Sequence, residues 1–195
     1  MSPVTHLLAS WVIANATRSR SRDRVWITLA GVLPDLDGLG FLVEMVTENS
    51  ATPLLWYSRY HHVLCHHIGF GLALMVVTAI FSLRRRVTVL LALTAFHLHL
   101  LGDLVGSRGP DGYQWPIPFL LPFSDAWQLT WTGQWTLNAW PNFLVTGILF
   151  GITAYLAWKR GISPISLLSP RLDRAVVSKL RNRLGRPESV SDLPG

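Results

Sequence analysis

All seven histidines of this chain fall in its first hundred residues, each in or beside a run of apolar side chains: His6, His61, His62, His66, His67, His97 and His99. Asp35, Asp37 and Asp103 accompany them. Imidazole and carboxylate are the ligands of Zn²⁺ and similar ions, so a recurring His/Asp set in apolar surroundings points to a metal site. Ionisable groups inside a membrane are costly and mark function by default.

Spacing sharpens some of these positions. His99-Leu100-Leu101-Gly102-Asp103 sets an imidazole and a carboxylate at i and i+4. On a helix these share a face and either grip one ion or form a His–Asp pair behind it. His97 points elsewhere and reads as structural. In His61-His62-Val63-Leu64-Cys65-His66-His67, His62 and His66 are i, i+4, whereas joining His61 to His66 needs a helix start or a local distortion. The competing reading is a mobile cluster that titrates near neutral pH. Cys65 is either a soft ligand or an inert buried thiol. Pro34-Asp35-Leu36-Asp37 puts two carboxylates on a broken helix. Either both bind metal or one does while the other acts as general base, with a capping or turn role as the bland alternative.

The elements that would carry these groups are membrane helices. Half of the residues are hydrophobic, 14% are charged and the mean hydropathy is +0.33, which argues against a soluble domain. Residues 68–83, 87–102 and 139–158 contain no Asp, Glu, Lys or Arg. A bilayer core takes about 20 apolar residues; the third stretch has that length, and the others reach it if their histidine-bearing ends are helical. The first charges follow the first apolar segment, unlike the basic leader of a cleavable signal. A single cysteine excludes an internal disulfide. The high pI of 10.2 suggests nucleic acid at first sight. The basic residues, however, cluster at 18–24, 84–86, 159–160 and 171–186, beside apolar spans, as the positive-inside rule requires.

Those clusters predict a topology with short cytoplasmic turns, a cytoplasmic tail and an outer connection. His6, Asp35, His66 and His99 lie 11 to 18 residues from the nearest basic cluster. At about 1.5 Å per helical residue this is roughly 17–27 Å, one shared depth in the outer half of the membrane. Segments 4–17 and 25–33 are too short to span comfortably, and Pro34 and Gly38 break the second where its carboxylates appear. Irregular backbone at membrane depth is tolerated where it lines a protected cavity. The outer connection is rich in Pro and Trp; Trp127, Trp131 and Trp135 would share a face if helical and suit an interfacial belt or a wall over the site. In the tail, Leu172, Val176, Leu180 and Leu184 form a stripe among basic residues, suited to an anionic leaflet or to solvent.

Taken in order, Thr5-His6 with Ser10, Pro34-Asp35-Leu36-Asp37, His61-x4-His66 and His99-x3-Asp103, followed by the Trp/Pro-rich segment, resemble the YdjM-like family. That family is described as inner-membrane, metal-dependent hydrolases, also labelled LexA-binding and distantly similar to zinc-dependent phospholipase C. The resemblance covers roughly residues 1–125. It implies that His6, Asp35, His61, His66, His99 and Asp103 bind metal, with Asp37 a further ligand or the base. Two departures stand out. His62 replaces the family's usual Arg, a cation that could hold a phosphate, and Cys65-His66-His67 replaces Thr-His-Ser.

The expectation is therefore an all-α, multi-pass inner-membrane protein with four to five embedded helices. Residues 1–160 form the metal-dependent domain, and 161–195 a basic cytoplasmic tail, partly amphipathic helix and partly disordered. One or two Zn²⁺-like ions would activate water against a phosphoester or ester bond of a lipid-like substrate, with Asp37 or Asp103 taking the proton. Membrane lipids are the expected partners; nucleic acid is not, and a soluble protein could dock on the tail. Two rivals share the ligands: a non-catalytic metal carrier or sensor, and a regulatory scaffold acting through the tail.

Overall fold

A computed structural model describes residues 1–109 and 112–187. Helices α1 (Pro3–Ala14), α2 (Ser21–Ala30), α3 (Gly40–Thr47), α4 (Trp56–Tyr60), α5 (Ile68–Phe81), α6 (Arg85–Gly106), α7 (Trp140–Arg160) and α8 (Pro170–Leu184) follow in order. Tight 3₁₀ turns stand at Leu33–Leu39 and Pro164–Leu167. Among the described residues there are no strands, only two isolated bridges. The fold is all-α.

Two helices, α6 and α7, are long and apolar enough to cross a membrane. A third span arises if α2 and Leu33–Thr47, bent by 51°, count as one. The bend sits where Pro34 lacks an N–H and disfavours helical backbone at Leu33. Helices α1 and α5 are apolar but only 12 and 14 residues long, so four to five embedded helices would require counting them too.

Two compact units divide the chain, Met1–Thr146 and Gly147–Gly195. In the first, α1, α2, α5 and α6 pack around a core of small and aliphatic residues: Ala14, Ile27, Ala30, Leu74, Met75, Ala92, Ala95, Phe96 and Leu100. Small residues let helix backbones approach where lipid removes the hydrophobic drive between helices. Leu72, Val76 and Ile80 of α5 and Leu90, Leu98 and Leu101 of α6 stay exposed, as lipid-facing residues do. At Gly71 an added Cβ would lie 2.7 Å from the Phe96 ring. Gly71→Ala is therefore expected to cost about 1–3 kcal/mol by overpacking, seen as a lower Tm in detergent.

Buried Asp23 of α2 accepts the Leu83 N–H at 2.7 Å, fixing the basic turn between α5 and α6. At the other end, the α5 amides of Ile68 and Gly69 donate to the Phe119 and Leu121 carbonyls at 2.8 and 3.0 Å. These bonds satisfy helix-terminal donors and dock the connection over α5. The connection is not helical across 127–139, so Trp127, Trp131 and Trp135 form no helix face. Long-range pairing overrides their spacing: Leu129 exchanges backbone bonds with Ile117, and Trp135 N–H donates to Val105 O at 3.0 Å.

In the second unit, the Trp158 indole donates to Gly185 O at 2.7 Å and Arg181 Nε donates to Trp158 O at 2.9 Å. Asp173 accepts from Ser163 N and Oγ at 2.8 and 2.6 Å. These contacts hold α8 alongside the end of α7.

Candidate metal centre

Helix α6 supplies the centre of the site. One turn separates His99 from Asp103, and both are buried, with His99 Nε2 3.0 Å from Asp103 Oδ2. Helix α1 brings His6 Nε2 to 3.1 Å from Asp103 Oδ1. Gly102 allows this approach, since a Cβ there would meet His6 Cε1 at 3.0 Å. The 3₁₀ turn after α2 places Asp35 Oδ1 3.8 Å from His99 Nε2. From the segment before α5, His66 Nε2 lies 3.3 Å and His62 Nε2 3.9 Å from Asp103 Oδ2. The Met1 ammonium also meets Asp103 Oδ1.

Two donor groups result: His6, Asp35, His99 and Asp103, and His62, His66 and Asp103. Within each, the donor atoms lie within 4.8 Å of one another. Tetrahedral ligands of Zn²⁺ stand about 3.3 Å apart for bonds near 2 Å. Asp103 belongs to both groups.

Proton bookkeeping tests the fit. His99 Nδ1 faces the Gly31 carbonyl at 2.9 Å, so it must carry the hydrogen and donate. His66 Nδ1 likewise donates to Asp37 Oδ2 at 3.0 Å. Each ring's Nε2 is then a lone-pair acceptor when the imidazole is neutral. Yet the two Nε2 atoms stand 3.1 Å apart, beside Asp103 Oδ2, which has no hydrogen-bond partner. Acceptors facing acceptors in a buried site need added positive charge. Anchoring Nδ1 on a carbonyl or carboxylate while Nε2 faces inward is the arrangement seen behind metal-ligating histidines. The residues fit a divalent cation.

Asp37 and His61 stand one step back from the donor groups. Buried Asp37 accepts from His61 Nδ1 at 2.9 Å, from His66 Nδ1 and, at 3.3 Å, from Cys65 N–H. His61 stacks on Tyr57 with ring centroids 4.6 Å apart. The segment is not helical, because His62 takes φ +66°, in the left-handed region. That turn, rather than an i, i+4 helix face, aims His62 and His66 at one carboxylate. Spacing offers His62 and His66 as an i, i+4 helical pair; nothing in it reveals such a turn at a non-glycine. Burial pushes its pKa well below the ordinary value despite Asp103, which favours the neutral, ligand-competent ring. Burial, then Asp37, pushes the Cys65 thiol up to about 11, so it stays protonated and a poor ligand. His97 is exposed, bonded through Nδ1 to Leu93 O at 2.9 Å, and outside the site.

A cavity of about 850 Å³ opens on the site. Asp35, Asp103, His61 and His62 reach its wall, together with Tyr57, Trp115, Leu39, Phe41 and Leu137.

The family described as YdjM inner membrane protein matches residues 1–170 of the chain. The chain belongs to this family. It is accordingly an inner-membrane protein, with apolar helices and buried His/Asp groups able to hold a metal ion. No curated protein and no solved structure matches it.

Proposed function

We propose that the chain is a membrane-embedded, metal-dependent hydrolase acting on a phosphoester or related ester of a lipid-like substrate. The observation that carries this reading is the inward convergence of His66 Nε2, His99 Nε2 and Asp103 Oδ2, backed by the Gly31 carbonyl and Asp37. One or two divalent ions, Zn²⁺ by ligand type, would supply Lewis acidity and make water nucleophilic near neutral pH. His6, Asp35 and His99 would hold one ion, His62 and His66 a second, and Asp103 would serve both.

The remaining chemistry belongs to the chain. His61 lies on the cavity wall, and its Nδ1 hydrogen is held by Asp37, leaving Nε2 free to accept a proton. Asp37 fixes the tautomer and steadies the imidazolium that forms, as a carboxylate does behind a catalytic histidine. The proposed path for the proton thus runs to His61 backed by Asp37, with Asp103 the alternative acceptor on the wall. The lipid-exposed helices and the cavity's aromatic and aliphatic lining favour an amphiphile entering from the bilayer. A carrier of metal would use the same donors, but His61, facing a sizeable cavity with Asp37 behind it, favours turnover.

The test compares detergent-purified wild type with a D35A/H66A/H99A variant for metal content and for cleavage of a phospholipid panel. Metal and cleavage in wild type and neither in the variant is the expected result. Cleavage unchanged by H66A/H99A refutes the mechanism.

For the tail we propose contact with an anionic cytoplasmic leaflet. Leu172, Val176 and Leu184 are exposed along α8, among Arg171, Arg174, Lys179 and Arg183. Such a helix lies in the interface with its apolar side in the acyl boundary. A polarity-sensitive dye on L172C, in a C65S background, is expected to shift to the blue in vesicles containing phosphatidylglycerol. A water-like spectrum there counts against the contact.

A further inference from the structure

The cavity over the donor groups is lined by two carboxylates, Asp35 and Asp103, and by His61 and His62. Among the described residues, Arg108 is the only Lys or Arg on its wall. Two backbone bonds fix its place: Arg108 N–H donates to Trp135 O at 3.1 Å, and its carbonyl accepts from Leu137 N–H at 3.0 Å. One end of the guanidinium donates to Thr132 O at 2.6 Å. Nε is buried and has no acceptor. A buried donor left unmatched costs about 1–3 kcal/mol, more when charged, and an anionic oxygen is the natural acceptor for it.

We propose that Arg108 anchors a phosphate-type oxygen of the ligand in this cavity, making the substrate class a phosphate ester rather than a neutral carboxylic ester. The inference rests on the hydrolase reading above. Its logic is charge placement. Asp35 and Asp103 repel an anion by themselves, and the cation they would hold attracts it; Arg108 adds a second positive point on the same wall. A guanidinium presents its hydrogens as a planar fork matched to phosphate oxygens, which an ammonium does not. His62 is the other basic side chain near Asp103 on this wall, but its Nε2 faces that carboxylate and is engaged in the donor set. The cation for the ligand's anionic group therefore comes from the start of the outer connection. Leu39, Phe41, Leu137, Tyr113 and Trp115 line the rest and suit the first methylenes of an acyl or isoprenoid chain.

The experiment measures binding, without turnover, of inorganic phosphate and of a short-chain phosphatidic acid to metal-loaded wild type, R108K and R108Q. Metal content and Tm are read on each preparation. Both ligands should bind wild type; R108Q should weaken both at least tenfold with metal content unchanged, and R108K should recover part of the loss. Tighter binding of the lipid identifies a lipid headgroup as the source, and equal binding a free phosphate ester; either supports the anchor. Binding by R108Q equal to wild type, or no binding by wild type, overturns it. An R108Q protein that fails to fold leaves R108K to decide: affinity equal to wild type there also overturns the fork-specific contact. Hydrolysis that persists while R108Q binds normally sinks the anchor alone, whereas phosphate binding through Arg108 without turnover sinks only the hydrolase reading.

Discussion

Replacing Asp103 with alanine is expected to strip the purified protein of divalent metal and to lower its stability by about 3–5 kcal/mol. Asp103 is 1% exposed, and His6, His66, His99 and the Met1 ammonium all meet its two oxygens. Removing one partner of a buried ionic cluster leaves the others without compensation in a low-dielectric interior. Asp103→Asn separates charge from shape. It keeps the volume and one acceptor oxygen, so it should fold better than the alanine variant while binding metal at least tenfold more weakly. Elemental analysis beside a thermal melt reads both effects. An Asp103→Asn protein holding metal at the wild-type level would remove this carboxylate from the centre of the site.

His61→Ala should behave in the opposite way, keeping metal and losing turnover. Its ring belongs to neither donor group but lies on the cavity wall with Nδ1 on Asp37. General acid–base catalysis contributes typically about 10²–10⁴-fold, and that is the drop expected in kcat on whichever phospholipid wild type cleaves. His66→Ala should abolish both metal and turnover. Asp37→Asn falls between, because Asp37 orients His61 and His66 together, and such supporting carboxylates are worth 10–100-fold in metal affinity. If His61→Ala loses metal as completely as His66→Ala, the histidine is a ligand and the proton must go elsewhere.

Much of this arrangement is legible in the order of residues alone. His99 and Asp103 meet because i and i+4 share a helix face, and the interruption at Pro34 follows from a missing amide hydrogen. The long apolar runs at 87–102 and 139–158 became α6 and α7. What stayed hidden is non-periodic. A histidine at φ +66° obeys no spacing rule, so the turn that aims His62 and His66 at Asp103 is invisible in the residue order. The dual grip of Asp37 depends on partners 24 and 29 residues away. Trp127, Trp131 and Trp135 mislead for the same reason: Leu129 between them pairs with Ile117, and Trp135 with Val105 and Arg108, so their segment is held by distant backbone instead of coiling on itself.

The bond between His6 and Asp103 joins positions 97 residues apart, and it carries a lesson about assembly. A ribosome delivers the first imidazole long before the carboxylate that answers it. During that interval the nascent chain must keep His6, Asp35 and the 61–67 histidines hydrated or neutral, since each is dear in hydrocarbon. Chains halted before α6 should accordingly be fragile and short-lived, and arrival of the sixth helix should act as the clasp that locks the earlier segments together.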